Sequence, residues 1–403
     1  MKKLISMSEW KKVKLGDVVS KLGDGLHGTP KYTPNGEFYF INGNNLGDGK
    51  IRLKANTKRV SKEEYNKYKK ELNDRTILVS INGTLGNIGL YNNEKCILGK
   101  SACYFNVKTN ICKNFIRYIV TNTHFQKYIS VFANGSTIKN VSLKTMREYP
   151  FKLPPLAEQK AIAGVLSSLD DKIDVLHRQN KTLEAMAETL FRQWFVEEAK
   201  EDWEEVKIKD FNCIVTDYVA NGSFAALKKN VTYTNIPNHA ILIRLTDFNR
   251  NFASKFVYIN EHSYKFLKKS QLKPNDIIIS NVGAYAGTVF RCPNLKKPMV
   301  LGPNAIVIKS MYNNFFYYFF KSRYGKYLLD GIRSGSAQPK FNKTAFRNIK
   351  LQYSSIEHLN NFEIAVNPYV TKKEKNITQI RTLENLRDTL LPKLMNGKIS
   401  VSF

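Results

Sequence analysis

Thr182-Leu183-Glu184-Ala185-Met186-Ala187-Glu188-Thr189-Leu190 returns about 200 residues later as Thr382-Leu383-Glu384-Asn385-Leu386-Arg387-Asp388-Thr389-Leu390, with five of nine positions identical. A long internal repeat constrains a fold more than any local propensity, because both copies must reach the same structure. The correspondence opens at Trp10-Lys11-Lys12-Val13-Lys14-Leu15-Gly16-Asp17 and Trp203-Glu204-Glu205-Val206-Lys207-Ile208-Lys209-Asp210. It continues through Asp74, Ser80 and Gly83, matched to Asp276, Ser280 and Gly283, and through Leu98-Gly99 and Leu301-Gly302. Asn114-Phe115 pairs with Asn314-Phe315, and Gly135-Ser136 with Gly335-Ser336. The offset drifts between 193 and 203, as small loop insertions produce. Such a period is too long for a solenoid. Each half therefore reads as a domain plus an appendage, and the whole as a pseudo-two-fold object suited to a target with two separated parts.

Lys and Arg number 63 against 34 Asp and Glu, a net charge of +29 on 403 residues. Charge on that scale is a statement about partners rather than fold. Nucleic acid is the first expectation and an anionic membrane surface the competitor. No apolar run approaches the ~20 residues of a spanning helix. The longest aromatic stretch, Phe315 to Phe320, ends at Lys321. Met1-Lys2-Lys3-Leu4-Ile5-Ser6 carries charge without an apolar stretch behind it, so the chain is expected in the cytoplasm. The five cysteines lack C-x-x-C spacing and read as free thiols rather than a zinc site.

Four segments are expected, with an α+β fold class. Residues 1–152 and 199–352 mix short apolar runs with Gly- and Asn-rich turns, as in Thr76-Ile77-Leu78-Val79-Ser80-Ile81 and Asp276-Ile277-Ile278-Ile279-Ser280. One helix is predicted from about Asn114 to Val131. Residues 153–198 follow Pro154-Pro155 with apolar residues at steps of four and three: Ile162, Leu166, Leu169, Ile173, Leu176, Leu183, Ala187, Leu190 and Trp194, with Asn180 in the one polar slot. That is the a/d seam of a coiled coil, in which a polar Asn can fix register; a partly exposed helix position is the alternative for Asn180. Residues 353–403 repeat the pattern less cleanly. Ser354-x-x-Glu357 resembles a capping box. Pro368 is expected to delay the continuous helix, after which Ile380, Leu383, Leu390 and Leu394 hold heptad slots. Lys373, Asn376 and Arg387 occupy slots expected to be apolar. Two such helices in one chain pair most simply with each other, antiparallel. A helix of ~40 residues is ~60 Å long, enough to set a spacing of up to about 17 base pairs between two readers.

Catalytic motifs are missing. Gly23-Asp24-Gly25-Leu26-His27-Gly28 matches G-x-G-x-x-G on paper, but Pro30 and Pro34 exclude the helix that a dinucleotide site needs. There is no phosphate-binding P-loop, no H-E-x-x-H pair and no G-x-S-x-G elbow. What remains is binding. Basic residues interleave with aromatics and amides at Lys31-Tyr32-Thr33, Lys67-Tyr68-Lys69-Lys70 and Arg333 through Lys343. Lys and Arg neutralise phosphates, while Asn, Gln and Arg match base edges.

Leu153-Pro154-Pro155-Leu156-Ala157-Glu158-Gln159-Lys160-Ala161-Ile162 and Leu386-Arg387-Asp388-Thr389-Leu390-Leu391-Pro392-Lys393-Leu394-Met395-Asn396-Gly397-Lys398-Ile399 carry a family resemblance. Together with the two Trp blocks and Asn221-Gly222-Ser223-Phe224-Ala225, they resemble the DNA-specificity subunit of type I restriction–modification systems, over essentially the whole chain. The resemblance implies two similar target-recognition domains (1–152 and 199–352) and two spacer helices (153–198 and 353–403) forming an antiparallel coiled coil. It implies a non-catalytic chain that reads a bipartite DNA sequence, one part per domain. It also implies two methyltransferase subunits bringing S-adenosylmethionine, and restriction motor-nuclease subunits bringing ATP and Mg²⁺, with no cofactor bound by this chain. Base contacts are expected in the turns 27–32, 134–140, 218–224 and 333–340. The candidates there are Lys31, Tyr32, Lys139, Asn140, Tyr218, Asn221, Ser223, Arg333, Gln338 and Lys340. Other readings are a methylation-only complex, a coiled-coil RNA-binding or scaffold protein, and a nuclease acting alone, the last disfavoured because no carboxylate cluster with a Lys is evident.

Overall fold

The structure, a computed structural model, describes residues 10–200, 203–253, 255–335 and 338–401. The N-terminal segment Met1 to Ser6 and Ser336 of the repeat lie outside them. The chain divides into two compact units, Met1–Asp174 with Thr382–Phe403, and Val175–Arg381. Both division points fall inside long helices, Leu156–Arg192 and Ile356–Met395.

The first unit is centred on a four-stranded antiparallel sheet in the order Val19–Gly23, Ala102–Val107, Thr76–Ser80, Ile88–Leu90. Thr76–Ser80 and Ala102–Val107 are buried at every position, which is why these runs lack the polar alternation of a half-exposed strand. Beside it, Phe38–Ile41 pairs parallel with Cys96–Leu98 and antiparallel with Arg59–Val60. Lys11–Lys14 and Pro150–Leu153 close the domain as a two-stranded ribbon. Its core is completed by the long helices. Ile162, Ala163 and Leu166 from the first turns of one, and Leu391, Leu394 and Met395 from the last turns of the other, join Phe105, Phe115 and Ile116 in one cluster.

The second unit repeats this plan. Its four-stranded sheet runs Ile214–Asp217, Ala305–Lys309, Ile277–Ser280, Val289–Arg291, the same topology as the first. Ala240–Ile243 again pairs parallel with Met299–Leu301, now within five strands, and Glu204–Lys207 with Lys350–Tyr353 forms the matching ribbon. Ala187, Phe191, Leu359, Phe362, Val366 and Val370 from the long helices enter its core.

The helix segments run antiparallel within each unit. In the first, Arg387 Nη1 donates to Asp170 Oδ1 at 3.1 Å. In the second, Lys373 Nζ donates to Glu184 Oε2 at 2.7 Å, and Asn376 Nδ2 donates to Asn180 Oδ1 at 2.9 Å. Asn376 is only 1% exposed. The polar heptad residues of the C-terminal helix therefore have partners on the central one, and Asn180 has a buried amide opposite it. Of the seam residues, Leu166, Ile173, Leu176, Ile380 and Leu394 are buried, while Leu169, Leu183, Leu190, Trp194 and Leu383 are half-buried.

Several local expectations are corrected. The single helix expected over 114–131 is two, Lys113–Thr121 and Thr123–Val131, because the Asn122 side chain accepts from Phe125 N and starts a new helix. Ser322 does the same between Asn313–Lys321 and Arg323–Gly331. The structural counterpart of Asp276 is Thr76 rather than Asp74: Asn73 N donates to Thr76 Oγ1 and Lys273 N to Asp276 Oδ2, both at 2.8 Å. The cap of the C-terminal helix is Ser355, whose Oγ accepts from His358 N at 3.1 Å, while the buried Ser354 Oγ makes no hydrogen bond. Pro368 does not delay the helix, which runs through it from Ile356. Pro368 and Ile364, whose carbonyl the ring frees, lie on the exposed face, so water can take the lost bond, while Phe362, Val366 and Val370 hold the other face in the core.

Candidate nucleic-acid interface

The segment 134–140 folds into a closed turn. Asn134 N donates to Asn140 O at 2.9 Å and Asn140 N to Asn134 O at 2.8 Å. It docks against the turn that joins Thr76–Ser80 to Ile88–Leu90, where Gly83 N donates to Lys139 O at 3.0 Å and Asn82 Nδ2 to Asn140 Oδ1 at 3.3 Å. Gly83 has φ +73°, a left-handed conformation that costs glycine least. The loop from Asp24 to Gly28 reaches the same rim, because Leu26 bridges to Gly99 and Lys100 N donates to Leu26 O at 2.9 Å. Together these segments line a cleft of about 420 Å³ with Asp24, His27, Asn82, Lys100 and Asn140 on its walls. His27 Nε2 lies 2.7 Å from Asp24 Oδ2, which orients the imidazole.

The second domain rebuilds the paired turns. Ser334 N donates to Lys340 O at 2.8 Å, Lys340 N to Ser334 O at 2.9 Å, and Gly283 N to Pro339 O at 2.8 Å. Gly283 has φ +88°. Two turns held by the same backbone bonds in sheets of the same topology therefore stand at equivalent places in the two domains.

The candidate residues divide by what their side chains do. Lys139 and Asn140, and Gln338 and Lys340, are exposed on the paired turns. Lys31 and Tyr32 are exposed in the first domain, with Lys58 Nζ 5.9 Å from the Tyr32 ring centre. The remaining four have duties within the protein. Tyr218 is buried, 7% exposed, and shares a 2.7 Å hydroxyl–hydroxyl hydrogen bond with Tyr233; burial and that bond push its phenol upward. Asn221 Nδ2 donates to Tyr218 O and Ser270 Oγ, and its Oδ1 accepts from Lys269 N, so the amide is used up in tying its loop to the segment at Lys268–Ser270. Ser223 caps the helix Phe224–Asn230 through Ala226 N. Arg333 is tied to Asp330 at 3.0 Å and donates to Ala286 O. The Asn221 amide is thus committed within the protein, whereas Arg333 spends only its Nη2 on Ala286 and Asp330 and is otherwise exposed. Asn82, Lys100 and Tyr285 share these rims yet lie far from the chosen turns in sequence. The signal that could have found them was the repeated glycines, Gly83 and Gly283 beside Asn82 and Tyr285, and Gly99, matched to Gly302, beside Lys100.

The chain can be set beside known proteins. The family model described as type I restriction modification DNA specificity domain matches residues 7–185 and again 200–364. The MjaIX type I restriction enzyme specificity subunit of Methanocaldococcus jannaschii is 25% identical over 402 residues, covering 93% of this chain and 86% of that one. The MjaVIII specificity subunit of the same organism is 25% identical, over 68% of each. Among solved structures, the type I restriction–modification S subunit from M. genitalium has the same fold, with a TM-score of 0.63, 20% identity and 98% of both chains covered.

Proposed function

The chain belongs to the family of type I restriction–modification DNA-specificity subunits, non-catalytic by family, and from that premise we propose that it reads a bipartite DNA target, one half per domain. The observation that carries this reading is the doubled rim: a glycine turn and a closed turn joined by the same backbone bonds in each domain, displaying Lys139 and Asn140 in one and Gln338 and Lys340 in the other. Amides and amines at a turn tip can hydrogen-bond base edges, and the excess of 29 positive charges favours the phosphates around them. Different side chains on an equivalent frame suit two different half-sequences.

In this reading the long helices set the length of the unread spacer. They also dock two methyltransferase subunits that supply S-adenosylmethionine, with motor-nuclease subunits supplying ATP and Mg²⁺ chemistry. Mapping methylated bases in a host carrying this chain with its methyltransferase gives the test. A two-part motif is expected. Replacing Gln338 and Lys340 together with Ala should relax one part and leave the other intact. A uniform loss of methylation at every site would make them backbone contacts, and a one-part motif would refute the division of labour.

A further inference from the structure

The glycine turns of the two domains differ by one residue. Their closing bonds are the same: Gly86 N donates to Ser80 O at 2.8 Å and Gly287 N to Ser280 O at 2.7 Å. Between the first pair of glycines stand Thr84 and Leu85; between the second stand Ala284, Tyr285 and Ala286. Leu85 packs against the core of its domain, and Ala286, 4% exposed, takes that inward place in the second. The additional residue, Tyr285, is 67% exposed.

One exposed aromatic is ordinary on a protein surface. Three features distinguish this one. It is the insertion itself, so the frame is kept and only an outward side chain is gained. Its backbone is fixed, because Tyr285 O accepts from Thr288 Oγ1 at 2.8 Å and from Thr288 N at 3.1 Å, which limits the entropy lost when the ring meets a ligand. Finally, its turn is bonded through Gly283 to the turn that displays Gln338 and Lys340.

We propose that Tyr285 is a specificity-determining residue of the second domain, its ring packing against bases of the half-site that this domain reads. The first domain, whose Leu85 faces inward, has no equivalent contact. The proposal rests on the bipartite reading above. A ring laid on a base or wedged at a base step discriminates by stacking and step deformability, without needing a hydrogen bond.

The test uses the full chain assembled with its methyltransferase subunits, and three duplexes: the target methylated by the wild type, and that target with either half scrambled. Y285A should bind about ten-fold more weakly wherever the second domain's half-site is intact, and no more weakly where it is scrambled. Y285F should stay within about two-fold of wild type, since the ring is kept. Deleting Tyr285, which restores the shorter turn, should match Y285A. Melting temperatures should be unchanged in Y285A and Y285F, because the side chain packs on nothing in the core, whereas the deletion also removes the carbonyl that Thr288 bonds and is judged by its pattern over the three duplexes. Wild-type affinity in Y285A, equal loss on all three duplexes, or Y285F as weak as Y285A would each overturn the proposal. Failure of the wild type to distinguish the scrambled duplexes would sink the bipartite reading, and this proposal with it.

Discussion

Two glutamates on the long helices show how the same side chain is turned to opposite ends. Burial pushes the Glu184 carboxyl up, but Lys373 and Lys321 together outweigh burial and hold it at about 2. Burial also acts on Glu363, and there it wins over the bond from Phe315 N and raises the carboxyl to about 7. The signs of their linkage to folding differ accordingly. Glu184 stabilises the fold above the ordinary carboxyl range, and that stability is lost as pH falls towards 2. Ionising Glu363 costs stability progressively as pH rises from that range to about 7. Glu184→Gln should therefore destabilise by about 3 kcal/mol near neutrality. Its deficit against wild type should shrink as pH is lowered. Glu363→Gln should gain on wild type as pH is raised. Denaturant titrations across pH read both, and a pH-independent difference for either variant would contradict these assignments. None of this was legible in the sequence, since Glu184 looks like any exposed helix residue until the Asn313–Lys321 helix brings Lys321 to it. The same holds for Asn221: composition gives a residue's capability, and only packing shows that this amide already bonds Tyr218, Ser270 and Lys269.

Among the elements, the long helices were the most legible, because a heptad seam repeats its signal over many turns. Short elements were less so. Asn122 and Ser322 divide helices whose apolar spacing reads as continuous, since a cap interrupts the backbone without interrupting the hydrophobic face. Pro368 misled in the other direction. An interior proline costs a helix about 3 kcal/mol, but that does not break it when both flanks are anchored in a core. Pro368→Ala should raise stability by up to about 3 kcal/mol, seen as a higher midpoint in thermal or denaturant unfolding. A variant no more stable than wild type would mean that the proline relieves some other strain.

For the whole molecule, the repeat announced two domains of one topology, and the structure has them. It did not announce that the closed turn and the glycine turn stand side by side, because they are separated in sequence by about 50 residues of strand and helix. The helix pair offers the test of the spacing idea. Seven residues added to both helices, between Asp170 and Asn180 and between Asn376 and Arg387, would lengthen each by about 10.5 Å, or roughly three base pairs. The unread spacer in the methylation motif should grow by about that much. An unchanged spacer would remove the helices as its determinant.

The central helix contributes the acid to both pairings, Asp170 and Glu184, and the C-terminal helix the base, Arg387 and Lys373. Though the two helices descend from one repeated pattern, at these two pairings they are complementary in sign rather than alike. A chain severed between its halves would yield fragments that prefer each other to their own kind, since a central helix aligned with a second central helix would leave both carboxylates without a cation across the seam.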